Sequence, residues 1–142
     1  MGAPSQRVVL DSNVLVSALI FRDSRHLPLR DAWQRGALQP LLSVATWREL
    51  RRVLGYPQFA LDDDGISAAL AQLGPHIEWV NVDEMAVAAL PRCSDRDDQK
   101  FLEVAHCGAA VALLTYDRAL LKLRRRLAFP VVTPEQWHAG QT

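Results

Sequence analysis

Four places in the chain put carboxylates where the surrounding pattern gives no ordinary surface reason for them. An apolar run starting at Val8 stops on Asp11, takes Ser12 and Asn13, and resumes at Val14. A buried acid is costly unless a hydrogen-bond donor or a cation meets it. Further on, Glu49 stands one turn before Val53 at the edge of an apolar helix face. Asp95, Asp97 and Asp98 crowd the head of another helical stretch, and Asp117 follows the apolar run 111–115. Taken singly, each acid has an ordinary reading: a solvated helix charge for Glu49, a strand-end acceptor for Asp11, a dipole-favoured N-terminal acid for Asp98. Taken together, carboxylates converging on one place repel more strongly as water is excluded, so they must keep protons or surround a divalent cation. Oxygen-only donors suit a hard ion, Mg²⁺ or Mn²⁺; zinc wants His or Cys at ligand spacing, which the four histidines and two cysteines do not show. An ion so held generates hydroxide from water and offsets phosphodiester charge, which points to a nuclease or a phosphatase.

Positioning such acids takes an alternation of strands and helices, and the pattern supplies one. Residues 8–10 read as a short buried strand and 13–20 as a helix with Ser12 available as its cap. A helix over 28–36 opens on Pro28 and closes on Gly36. A weak strand over 38–42 leads to Ser43, a good N-cap, and a helix over 44–54 with Trp47, Leu50, Val53 and Leu54 at helical spacing. After a turn-rich patch come helix 66–73, strand 77–82, short helix 85–90, helix 99–107, strand 111–115, helix 119–126 with a basic end, strand 129–133 and a final helix 134–138. This order implies an α/β fold around a parallel sheet, in which ligands gather outside the carboxyl ends of the strands. Asp11 and Asp117 lie there. In helix 99–107, Phe101, Leu102, Val104 and Ala105 form a buried stripe that Asp98 continues, with Asp97 as a rival on the other flank. Asp95 reads as a cap or turn residue, and Lys100, Glu103 and His106 fall on the opposite face.

Composition bounds these readings. A chain of 142 residues, 49% hydrophobic and 23% charged, implies one domain over residues 1–142 with a real core. Basic and acidic residues balance at 16 each, so no overall field draws the protein to nucleic acid or membrane. That counts against a dedicated nucleic-acid-binding module but not against an enzyme touching a few phosphates, and it leaves little charge repulsion to oppose self-association. Cys93 and Cys107 read as reduced thiols. Residues 1–6 carry no leader pattern, and the longest apolar run, 14–21, is too short to span a bilayer. The expectation is a cytoplasmic protein with no membrane partner.

The blocks DSNVLVSAL after a strand, WRELRRVL in the middle, DRDDQKFLEVA, and LLTYDRALL ahead of a last strand and VTPEQW resemble the PIN domain. The branch they are most similar to is the VapC-like toxin component of type II toxin–antitoxin systems, and the likeness runs from about Arg7 to Trp137. The resemblance implies a three-layer α/β/α sandwich and Mg²⁺- or Mn²⁺-dependent endoribonuclease activity. It implies metal and catalytic roles for Asp11, Glu49, Asp98 and Asp117. It also gives Asn13 and Thr115 supporting roles beside the metal acids. A small antitoxin and a homodimer are the partners it implies. Two departures stand out. Ser12 replaces the usual threonine, and Ala119 stands where many members carry a second acid, which bears on a second metal site. RNA would face the basic run Lys122, Arg124, Arg125 and Arg126, although a solvated, dipole-favoured helix end accounts for it equally well. Trp47 and Trp79 are expected in the core. Among rivals, a dehalogenase-like phosphatase would need an acid at position 13, and a receiver domain would need paired acids and a late lysine. A PIN-like module that binds RNA or protein without cutting remains a reading from a different class.

Overall fold

Strand β1, Gln6–Leu10, is buried without a break over its last three residues because it is covered on both sides: Val8 and Leu10 face one layer of helices and Val9 the other. This computed structural model describes residues 5–21 and 25–140, so the polar opening of the chain is described only from Ser5 onward. After β1 come α1 (Ser12–Ile20), α2 (Leu27–Gln34), β2 (Leu38–Leu42), α3 (Val44–Leu54), α4 (Asp63–Leu73), β3 (Glu78–Trp79) and α5 (Glu84–Val87). Then follow α6 (Gln99–Cys107), β4 (Ala112–Leu114), α7 (Arg118–Leu121), β5 (Val131–Val132) and α8 (Pro134–Gly140).

The strands pair in the order β3-β2-β1-β4-β5, every neighbouring pair parallel. Leu38, Leu42, Ala112 and Leu114 join Val8 and Leu10 against α1, α2, α3 and α4. Leu41, Leu113 and Val131 join Val9 against α6 and α7. Strands buried on both faces need near-continuous apolar sequence, as residues 8–10 of β1 and Ala112–Leu114 of β4 have. The architecture is the three-layer α/β/α sandwich.

Several elements differ in extent from their sequence signals. Ser12 is not the cap of α1 but its first residue; Asp11 holds the N-cap position, and its carbonyl accepts from Leu15 N–H at 3.0 Å. α4 begins three residues earlier than its apolar spacing suggests because Asp62 accepts Gly65 N–H at 2.7 Å and caps it there. The strand expected over 77–82 pairs only at Glu78–Trp79, on the sheet edge, and that over 129–133 only at Val131–Val132. The helix expected over 119–126 ends at Leu121. The chain tightens so that Leu123 turns into the core, and the three arginines follow as a separate 3-10 turn, Arg124–Arg126. Against expectation Trp79 is 52% exposed, because an edge strand offers it one face only. It meets the half-buried Trp47 edge-on at 5.6 Å. Cys93 and Cys107 are free thiols, and no described helix is long and apolar enough to cross a membrane.

Candidate metal centre

The sheet order places β1 beside β4 although about a hundred residues separate them, with Leu10 opposite Leu114. The chain builds outward from β1 to β2 and β3 on one side and from β4 to β5 on the other. The β1/β4 boundary is therefore the switch point where a crevice opens beyond the strand ends. The next residues along these strands are Asp11 and Thr115. Asp11 N–H donates to the Leu114 carbonyl at 3.0 Å. The fully buried Thr115 hydroxyl donates to Asp11 Oδ2 at 2.7 Å and accepts from Asp117 N–H at 2.9 Å. One hydroxyl thus ties the first acid to the loop that carries another. Asp117 is half-buried and uses Oδ1 to cap α7 through Ala119 N–H at 2.8 Å.

Asp98 enters from the start of α6. Phe101, Leu102 and Ala105 pull that helix onto the sheet, and the same phase carries Asp98 inward to 8% exposure. Oxygens of Asp95, Asp98 and Asp117 lie within 4.8 Å of one another. Asp98 Oδ2 is buried with no hydrogen-bond partner. Burial, then the hydrogen bond and charge of Asp117, then the charges of Asp11 and Asp95, push the Asp98 carboxyl up to about 8. Burial also raises Asp11; Thr115 and the backbone amide of Asn13 pull it back, while Asp117 and Glu49 press it upward.

Glu49, 9% exposed on α3, flanks this group. The Ser12 hydroxyl donates to its Oε2 at 3.1 Å, and its Oε1 accepts from Lys100 Nζ at 2.9 Å and from Arg52 at 3.4 Å. Asp11, Asp98 and Asp117 have no such cationic partners among the described residues. Asn13 has an exposed side chain, and what bears on Asp11 is its backbone. Asp97 is exposed and lies outside the three-carboxylate group; Asp95 accepts its N–H at 2.9 Å, so Asp95 is both a cap and a member of the cluster. Asp95 is the cap expected of it, and Lys100, expected on the face opposite the buried stripe, pairs there with Glu49. Lys122, Arg124 and Arg125 join Arg118 in a groove of about 420 Å³, with Arg126 exposed in the same turn. None of these five cations has an acidic partner among the described residues.

Asp95, Asp98 and Asp117 are a group of oxygen donors close enough together to hold a metal ion. The sequence over residues 7–119 matches the family model described as PIN domain. No curated protein sequence matches the chain. In fold it is similar to VapBC2 from Rickettsia felis bound to a DNA fragment from their promoter (TM-score 0.58, 14% identity, covering 89% of this chain and 97% of that one). It is also similar to PAE2754 from Pyrobaculum aerophilum (0.55, 18%, 94% and 88%) and to FitAcB from Neisseria gonorrhoeae (0.56, 16%, 92% and 99%).

Proposed function

Because this chain belongs to the PIN domain family, whose members are generally nucleases, we propose that it is an endoribonuclease dependent on Mg²⁺ or Mn²⁺. In the same reading it is the cytoplasmic toxin of a toxin–antitoxin pair. The observation that supports the metal most directly is Asp98 Oδ2, a buried oxygen with no partner, on a residue whose carboxylate clusters with those of the half-buried Asp117 and the cap Asp95. An unsatisfied buried acceptor costs about 1–3 kcal/mol, more when charged, and a cation removes that cost. The donors are all oxygen, which fits Mg²⁺ or Mn²⁺. Asp98, Asp117 and Asp11 would hold the ion, with Asp95 beside them and Glu49 closing the acidic wall. When bound, the ion supplies an electrophile that offsets charge on a phosphodiester and acidifies water.

The chain's own residues do the rest. Thr115 fixes the Asp11 carboxylate and the Asp117 backbone relative to each other. Arg118, Lys122, Arg124 and Arg125 line a groove whose positive charge suits the phosphates flanking the cleaved bond. Partners follow from the likeness to VapBC2 and FitAcB, which supports a small antitoxin covering the site. The balanced charge suits a homodimer.

The test is cleavage of end-labelled single-stranded RNA by the purified protein with Mn²⁺, Mg²⁺ or EDTA, beside Asp11→Asn and Asp117→Asn. Metal-dependent cleavage ending in 5′ phosphates, reduced at least a hundredfold in both variants, is the expected result. Equal cleavage by the variants would expose a contaminant. RNA binding without cleavage would favour the non-cutting module, the reading to which Ala119 lends weight.

A further inference from the structure

The acids of the cleft are not equally free. Asp98 has an oxygen with no partner, whereas both oxygens of Glu49 already accept hydrogen bonds, Oε1 from Lys100 Nζ at 2.9 Å and Oε2 from Ser12 Oγ at 3.1 Å. We propose that Lys100 is a built-in cation on the Glu49 side of the cleft, so that the centre takes one divalent ion and the ammonium stands where a second would be. This rests on the metal-centre reading above.

Lys100 is held for such a role. Its side chain is 23% exposed, against 57% for Arg52, the other cation on Glu49, so the Lys100–Glu49 pair is the less screened of the two. It also stands against local preference. Lys100 lies in the first turn of α6, where the aligned backbone dipoles disfavour a cation. A residue that breaks a local rule marks either an error or a use. The residue type argues for use: the chain has fourteen arginines and only two lysines, Lys100 and Lys122. A guanidinium would lie on Glu49 as a flat fork. An ammonium is a compact charge with three donors, one engaged by Glu49 and two left for a phosphate oxygen or water. The α7 flank offers no acid to hold a further ion, because position 119 is alanine and its backbone already engages Asp117. Lys100 is thus a positioning residue: it neutralises Glu49, keeps that carboxylate from recruiting metal, and sets a fixed positive charge beside the exchangeable one.

The decisive measurement is Mn²⁺ binding to metal-free full-length protein, by calorimetry for stoichiometry and by electron paramagnetic resonance for ion–ion coupling. One uncoupled Mn²⁺ per chain is expected for the wild type. Lys100→Met is expected to take two, with a coupled signal, and Lys100→Arg, which keeps the charge, to stay at one. Two ions in the wild type would overturn the inference, as would a single ion of unchanged affinity in Lys100→Met. Should Lys100→Met fail to fold, Lys100→Gln carries the same expectation and the wild-type count stands independently. A wild type that binds no Mn²⁺ at all would sink the metal-centre reading itself, an outcome distinct from a count of two.

Discussion

Replacing Asp98 by asparagine should stabilise the metal-free protein, by an amount that grows as pH climbs from about 4 to about 8. Burial and the neighbouring carboxylates lift this group from an ordinary 3.8 to about 8, so in the folded chain it keeps a proton that the unfolded chain has already released. For an acid raised in this way, the contribution to stability is fully present below about pH 4 and is lost as pH climbs through about 8. Unscreened, the gap would be worth on the order of 6 kcal/mol. The cleft opens to water and Asp117 is only half-buried, so a third to a half is the reasonable remainder, about 2–3 kcal/mol. Asparagine has nearly the same shape, carries no charge at any pH, and offers Asp117 an N–H donor. It forfeits no helix cap, because the Asp98 side chain makes no capping bond to α6. Loss of a favourable dipole contact offsets roughly 0.5 kcal/mol of the gain.

Thermal unfolding in EDTA, at pH 3.5 and at pH 8.5, reads this directly. The two proteins should melt almost together at pH 3.5, the gap should widen steadily as pH rises, and the variant should melt about 5–8 °C higher at pH 8.5 for a chain of this size. Excess Mn²⁺ should erase the advantage, since an ion at a hundred times its dissociation constant stabilises only the chain that binds it, by about 2.7 kcal/mol. Equal melting at pH 8.5 would refute the crowding of negative charge at this site. A difference independent of pH would refute titration as its cause.

Three further outcomes are expected. Thr115→Val strands both Asp11 Oδ2 and the Asp117 N–H, so urea unfolding should show a loss of about 2 kcal/mol that Thr115→Ser largely restores. In an Asp98→Asn background that does not cut, Arg124→Ala with Arg125→Ala should lower the salt slope of single-stranded RNA binding by about 1.4, measured by fluorescence anisotropy; an unchanged slope would remove the basic groove from the RNA path. Trp79→Ala should cost under about 1 kcal/mol, whereas Trp33→Ala, at 1% exposure, should cost about 3–5 kcal/mol by the same measure.

Much of this architecture was legible because it follows from local rules. Ser43 with Thr46 closes a capping box at the expected start of α3, and the apolar stripe of α6 turns Asp98 inward as its phase requires. The acids at strand ends were legible for a topological reason: in parallel sheets a polar residue just past a buried strand lies on the ligand-binding side. What stayed hidden depends on which element lies next to which. Trp79 looked like a core residue because periodicity does not say that β3 is an edge, and Lys100 looked solvated for a related reason. Helical phase tells a residue where its own stripe is, but not that α3 crosses close enough for Glu49 to be reached from the opposite flank. Asp95 was discounted because capping a turn seemed a sufficient task. In the folded chain the same residue caps the turn and stands with Asp98 and Asp117 in the cluster. The local and the functional readings of an acid are therefore not alternatives here. The hydrogen bonds that make Asp95, Asp11 and Asp117 ordinary turn, strand-end and cap residues are the ones that hold their remaining oxygens in place. A site assembled this way needs no strained backbone to be rigid, and its one uncompensated atom, Asp98 Oδ2, is left to whatever cation arrives.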